Sequence, residues 1–262
     1  MKTSTIMLAS LTATGLLAAF ILPLTLMLLS SGGEKPFNPD APATTINTPP
    51  FRHLMIARTD STRLYLQLDI IAEIDSTVHT PSVTLNEEVA RWITLEEKGD
   101  TLCLNVSVPE AKEGGYNPGY CNTEMRMQIP AGLLQSMQPA SLICSSVHMK
   151  GLDTSDFTFN SSTSLKLIDC RINTLSMPRG MNLALDGTHV GTIDSDLTHC
   201  PNAILSCCNA EAENLMINAG NAPSRQIYLS SANIGTINVA SGGPNGSVNL
   251  MGIDSTTIRK LM

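Results

Sequence analysis

The sequence predicts an all-β protein: a β-solenoid over residues 51–262, behind an N-terminal membrane helix at 1–29 and a Pro-rich linker at 30–50. Three observations predict it. A degenerate repeat of about twenty residues fills the second half, alternating apolar and polar residues precede it, and the first 29 residues hold a long uncharged run. Each copy of the repeat carries an apolar residue, a second five positions on and a third three further on. The clear copies are Leu167–Ile172–Leu175, Leu185–Val190–Ile193 and Leu229–Ile234–Ile237. Leu205–Ala210 and Leu250–Ser255–Ile258 fit less well, and Leu142–Val147 starts the series. So short a unit cannot bury its own apolar face, so the copies must stack. Stacking at about 4.8 Å per step aligns Ile172, Val190, Ala210 and Ile234 as one interior ladder.

At the N-terminus, no charge falls between Thr5 and Leu29. A helix of that length, at about 1.5 Å per residue, spans a hydrocarbon core of about 30 Å. The run is longer than the apolar part of a cleavable signal, and Leu28-Leu29-Ser30-Ser31-Gly32 is a poor cleavage site. An uncleaved signal anchor is therefore expected, with cleavage and secretion as the alternative. Pro36, Pro39, Pro42, Pro49 and Pro50, with Gly32-Gly33, read as an extended spacer.

From Phe51 the pattern is that of strands. Leu64, Leu66, Leu68 and Ile70 alternate with Tyr65, Gln67 and Asp69, and Leu102, Leu104, Val106 and Val108 repeat the device. Trp92–Leu95, then Glu97-Lys98-Gly99-Asp100, then Thr101 reads as a hairpin turned at glycine. Met125, Met127 and Ile129 form another strand ended by Pro130, residues 110–123 a loop, and Glu87–Arg91 one helical turn. Within the repeats, Asn182–Asp186 and His189–Ile193 are paired short strands about a Gly187-Thr188 corner.

Chemistry is sparse. A net charge of −7 and a pI near 5.2 disfavour nucleic acid, which needs a basic stripe, and aromatics at 4% leave few platforms for sugars or bases. The seven cysteines (Cys103, Cys121, Cys144, Cys170, Cys200, Cys207 and Cys208) form no C-x-x-C pair and match no zinc template. Cys144 and Cys207 hold one place in the repeat, where other copies have Asp169, Gly187, Ser231 and Gly252, so that slot needs a small side chain. One or two disulfides, such as Cys103 with Cys121, are the alternative. His53, His79, His148, His189 and His199 are scattered without a catalytic or metal-binding spacing. Asp194-Ser195-Asp196 is similar to the clustered acids of polysaccharide-degrading β-helices, yet the equivalent Val239-Ala240-Ser241 repeats no acid, and the run reads as a polar turn. Gly242–Gly246 reads as a connector, and Asn105, Asn160 and Asn245 head glycosylation triplets. No catalytic, cofactor-binding or metal-ligating residue is assigned, and no cofactor is expected.

Several segments together resemble a known family. Val89-Ala90-Arg91-Trp92-Ile93-Thr94-Leu95-Glu96 followed by Gly99-Asp100-Thr101-Leu102, the strand ending Ile129-Pro130, and the blocks Gly191-Thr192-Ile193-Asp194 and Gly235-Thr236-Ile237-Asn238 carry the likeness. The chain resembles the autotransporter-adhesin head (GIN-type) domains of Bacteroidetes envelope proteins over roughly 51–262. The resemblance implies a right-handed parallel β-helix-like fold, an envelope location and adhesion, with no catalytic residues; the cysteines and the anchor depart from its pattern.

The expected function is that of a non-enzymatic, membrane-anchored cell-envelope protein on the extracytoplasmic face, with a β-solenoid surface for binding or adhesion. Its expected partners are the membrane through residues 1–29 and an envelope protein or glycan, with no nucleic acid and with self-association through a terminal edge left open. The alternatives are a β-helical polysaccharide lyase or hydrolase, and a scaffold or sensor ectodomain of an envelope signalling system.

Overall fold

Period-two patterning builds nearly all of the described structure. In Leu66–Asp75, Leu66, Leu68, Ile70 and Ala72 are buried, while Gln67, Asp69, Ile71 and Glu73 face outward. The computed structural model describes residues 38, 40–60, 66–108, 121–198, 200, 202–220, 225–230, 233–241, 248–251 and 258–261.

These residues form two ten-stranded sheets. The first runs, in spatial order, β1 (Ala43–Asn47), β4 (Ser82–Asn86), β7 (Cys121–Pro130), β3 (Leu66–Asp75) and β9 (Cys144–Lys150). It continues through β11 (Ser164–Ile168), β13 (Asn182–Asp186), β15 (Asn202–Cys208), β17 (Arg225–Ser230) and β19 (Val248–Met251). The second begins at β20 (Ile258–Leu261), β18 (Ile234–Ser241), β16 (Glu211–Gly220), β14 (His189–Asp196) and β12 (Arg171–Met177). It ends with β10 (Asp153–Phe159), β8 (Ser136–Pro139), β2 (His53–Arg58), β6 (Thr101–Val106) and β5 (Ile93–Lys98). One helical turn, α1 (Glu87–Ala90), follows β4; the Asn86 side chain caps it by accepting from the Glu88 N–H at 2.9 Å.

The core lies between inward rows that cross the strands. Ile70, Val147, Leu165, Leu183, Leu205 and Leu229 stand side by side in the first sheet. Phe157, Leu175, Ile193, Leu215 and Ile237 do so in the second. All are buried and belong to one hydrophobic cluster. Each such side chain contributes about 1.5–3 kcal/mol, so the rows set the register.

This architecture corrects the expected right-handed parallel β-helix-like solenoid. Both sheets are mixed: β1–β4, β4–β7 and β5–β6 pair antiparallel, while the other strand pairs are parallel. Strand order also departs from chain order, because β3 sits between β7 and β9, and β2 between β6 and β8. A chain wound coil upon coil would place each strand beside its immediate successor in the winding. The early period-two strands could not reveal this, since alternation marks a strand's buried face and not its neighbour. Nor is there, among the described residues, a helix long and apolar enough to cross a membrane. The anchor expected at 1–29 lies outside the described residues, as do Leu64, Tyr65, most of the 110–123 loop and the 242–246 connector. Within the 30–50 span read as spacer, β1 is paired along its length with β4.

The repeat corresponds to parallel register, but with a different phase. The second-sheet row runs Ile172–Val190–Ala212–Ile234–Ile258, so Ala212 replaces the expected Ala210 and Ile258 the expected Ser255. In the first sheet Leu167, Leu185 and Cys207 share a row, whereas Leu205 and Leu229 belong to the neighbouring row with Leu183. Cys207 therefore stacks on leucines, and Cys144 lies beside Leu68, so the two cysteines share no slot. Leu142, expected to begin the series, is 79% exposed. Connections of unequal length explain the slips: Val190 follows Ile172 by 18 residues, and Ala212 follows Val190 by 22.

The Gly-Thr-Ile blocks mark a bend. In β14, Val190 and Ile193 are buried while Gly191 and Thr192 both turn outward, breaking the alternation. A Cβ on Gly191 would meet the Asn173 carbonyl oxygen at 2.7 Å, and one on Gly235 would crowd the Glu213 carbonyl oxygen. Only glycine lets the bent strand approach its neighbour so closely.

Candidate binding surface

The bend assembles a regular polar row on the second sheet. Because the second residue after each inward row position turns out, Asp156, Thr174, Thr192, Asn214 and Thr236 form one outer row across β10, β12, β14, β16 and β18. Threonine suits this place, as a β-branched side chain on a pleated, half-exposed face. Two positions along the strands, Thr158, Ser176, Asp194, Met216 and Asn238 form a second outer row. Adjacent strands lie about 4.8 Å apart, so hydroxyls and amides recur at that spacing. Asn214 is steadied by donating to the Gly191 carbonyl at 3.4 Å.

The outer face of the first sheet differs. Arg126, Ile71, His148 and Lys166 share a row near its middle, and Glu73 stands beside Lys150. Arg126 pairs with Glu124, and Lys166 with Asp186 at 3.2 Å; such exposed pairs contribute little. Toward the C-terminal end the face becomes apolar, with Ile204, Tyr228 and Met251 in one row at 44%, 40% and 44% exposure. Two depressions, of about 270 and 340 Å³, are present, the second on this same face. The first is bounded by Met55, Gln138, Leu142, Asn160 and Arg179, the second by Thr45, Glu73, Thr84 and Arg126. Both are open, and their volumes stand at the lower limit of ordinary ligand sites, about 300–1,000 Å³.

The residues singled out in the sequence are not gathered into a site. His53 Nδ1 lies 2.8 Å from the Ser136 hydroxyl, His79 and His148 are exposed, and His189 is 3.4 Å from Glu213. His199 lies outside the described residues. Among the described residues no cluster of His, Cys, Asp and Glu could hold a metal ion. Asp194 points outward between Ser176 and Met216, whereas the Asp196 carboxylate accepts from the Thr198 N–H at 2.8 Å. The residues facing the Asp-Ser-Asp run two strands on are Asn238, Val239 and Ala240, one position earlier than expected, and they too bring no acid. Ser195 points inward, and its buried hydroxyl has no hydrogen-bond partner among the described residues. Asn105 and Asn160 donate to Glu96 and Gln138 side chains, and Asn245 is outside the described residues.

The six cysteines whose side chains are described are free thiols. Cys103, Cys144, Cys170 and Cys207 are buried, Cys200 is half-buried and Cys208 exposed. The Cys103–Cys121 bridge is not made: Cys103 is free on β6 of the second sheet, while Cys121 begins β7 of the first. Burial pushes the Cys144 thiol up to about 12 and raises those of Cys170 and Cys207. At the surface, Glu96 is lowered by its bond with Lys98, and Asp75 by the Thr77 N–H.

One ionic group escaped the sequence reading. Asp60 accepts from Arg58 Nε at 3.0 Å and Nη2 at 2.9 Å, and its other oxygen accepts the Val108 N–H at 2.7 Å. The two side chains are 13% and 9% exposed, so the pair fastens the end of β2 to the chain leaving β6. Arg-x-Asp at the end of an alternating run was its only signal, a weak one.

No family model and no curated protein matches the chain. Solved structures resemble it at low identity. A "putative adhesin" from Bacteroides fragilis is 13% identical, with 86% of this chain and 100% of that one covered at a TM-score of 0.47. A "putative lipid binding protein" from Parabacteroides distasonis is 13% identical, covering 86% and 99% at 0.44. A "putative adhesin" from Parabacteroides merdae is 8% identical, covering 84% and 94% at 0.42. At such identity and superposition these likenesses assign no ligand and no role to this chain.

Proposed function

We propose that this is a non-enzymatic cell-envelope protein, held to the membrane by residues 1–29 on the extracytoplasmic side, whose second sheet binds or adheres to an extended polar partner. The observation that supports the reading is the outer row Thr174–Thr192–Asn214–Thr236 with Asp156 at its head. An array of hydroxyls and amides at strand spacing favours a repeating, hydroxyl-rich partner over a compact substrate, and a neutral glycan has that chemistry. Each contact to such a partner is a net hydrogen bond of about 0.5–1.5 kcal/mol, so affinity comes from their number.

The test is binding of labelled full-length protein, in detergent, to an array of immobilised neutral polysaccharides. Replacing Thr174, Thr192 and Thr236 together by lysine removes three hydroxyls while leaving the inward rows intact. Binding is expected to fall by about tenfold or more, from the loss of about 1.5–4 kcal/mol. Polysaccharide binding unchanged by the triple substitution, or none by the wild type, would overturn the reading. Fractionation of tagged protein checks the anchor separately, with recovery in the membrane pool expected.

A further inference from the structure

The four sheet edges are not alike. β5 carries Glu96, Glu97 and Lys98, and β20 carries Arg259 and Lys260. The β1 edge is bracketed by Pro42 and by Pro49-Pro50. Charges and prolines are the usual means by which an edge refuses another strand. β19, reading Val248-Asn249-Leu250-Met251, has no charge, and no proline lies within two residues on either side.

Burial at this edge is also unfinished. In the inward row Ala203–Ile227–Leu250, Ile227 is fully buried between its neighbours on β15 and β19, whereas Leu250 is half-buried. On the opposite face, the apolar row Ile204–Tyr228–Met251 runs out to the same edge. Among the described residues no strand lies beyond β19, and one more would complete the cover on Leu250 and continue the sheet.

We propose that β19 is a homodimer edge, pairing antiparallel with β19 of a second copy about a two-fold axis. The pleat sets the register. Facing residues of antiparallel strands point to the same side, and Leu250 points inward while Asn249 and Met251 are exposed. The axis therefore passes through Leu250, which meets the partner's Leu250, while Asn249 faces the partner's Met251. A second copy fits this edge because the strand is complementary to itself in that register: apolar meets apolar within, and uncharged meets uncharged outside. Two-fold closure also stops the sheet from growing further.

The experiment is sedimentation equilibrium of the full chain in density-matched detergent. A concentration on the order of 100 µM exceeds the micromolar dissociation constants expected of a small interface. The wild type is expected at twice the chain mass of 28.0 kDa. Asn249→Lys with Met251→Lys sets lysine against lysine across the axis, twice, and is expected to weaken the dimer by at least about tenfold. Asn249→Lys with Met251→Glu sets lysine against glutamate in the same places and is expected to retain it. Both positions are exposed, so neither variant disturbs the core, and equal melting temperatures check this. A monomeric wild type overturns the proposal, and so does a lysine–lysine variant that stays dimeric, which would locate self-association elsewhere, residues 1–29 included. Loss of the dimer in the lysine–glutamate variant overturns the register.

Discussion

Ile234→Asp puts a carboxylate into an inward row of the core. Ile234 is fully buried, with Ala212 beside it on β16 and Ile258 on β20. Losing the isoleucine removes about 1.5–3 kcal/mol of burial. The carboxylate must then stay charged without a partner or take up a proton. A buried acid raised by about 3 units costs about 4 kcal/mol at neutral pH. The sum, about 6 kcal/mol, matches the whole stability of many domains, given as about 5–15 kcal/mol. Ile234→Val calibrates the site: one methylene costs about 0.5–1.5 kcal/mol and lowers Tm by a few degrees, at about 2–4 °C per kcal/mol for a chain of this size. Asn202→Asp, exposed on β15, is the surface control and should stay within about 0.5 kcal/mol. Gln226 is less suitable, being half-buried and bonded by the Tyr228 hydroxyl at 2.7 Å. Circular dichroism melts of the full chain in detergent read all three. The introduced acid has a folded pKa above its unfolded one, so its penalty vanishes below the unfolded value and grows as pH rises. Ile234→Asp should therefore melt higher at pH 5 than at pH 8. A wild-type melting temperature, with no pH dependence beyond that of the wild type, would refute the placement of this row.

Three further outcomes are expected. Ser195→Ala deletes a buried hydroxyl with no partner among the described residues and should raise stability by about 1 kcal/mol in denaturant titration; a loss of similar size would mean that the hydroxyl is satisfied. Asp60→Asn breaks the largely buried pair with Arg58 and should cost about 3 kcal/mol in the same assay, with no change indicating that the pair is a surface contact. Cys144 binds its proton more tightly folded than unfolded, so the wild type should lose stability as pH rises from about 9 toward 12, and Cys144→Ala should flatten that loss. An identical slope in the two proteins would mean that Cys144 is not shielded as described.

Strands were legible where one face is buried and the other wet. The β5–β6 hairpin about Gly99, with φ of 61°, the strands about Met125 and Leu185, and the single turn α1 all stand where alternation and turn residues put them. Pairing was not legible in the N-terminal half. β3 lies between β7 and β9 because its inward Leu68, Ile70 and Ala72 complete rows on both sides, a fact of three-dimensional fit that leaves the alternation of β3 itself unchanged. The solenoid expectation extended the regularity of the second half over strands whose order it does not govern.

The outer row shows how a small error of phase conceals a surface. The residue two places after each member of the inward row turns out: Thr174 after Ile172, Thr192 after Val190, Thr236 after Ile234. With Ala210 taken as the missing member, the corresponding outer residue is Ala212, and the polar row is interrupted. With Ala212 in its place, the outer residue is Asn214, and the row is continuous from Asp156 to Thr236. Ala210 and Ala212 are equally small and apolar, so hydrophobicity cannot choose between them. The choice falls to the connection before β15, whose extra length slips both sheets by the same four residues and keeps Cys207 opposite Leu185. Inward residues therefore set where the strands lie, and only the correct register among them reveals which polar residues stand together on the outside.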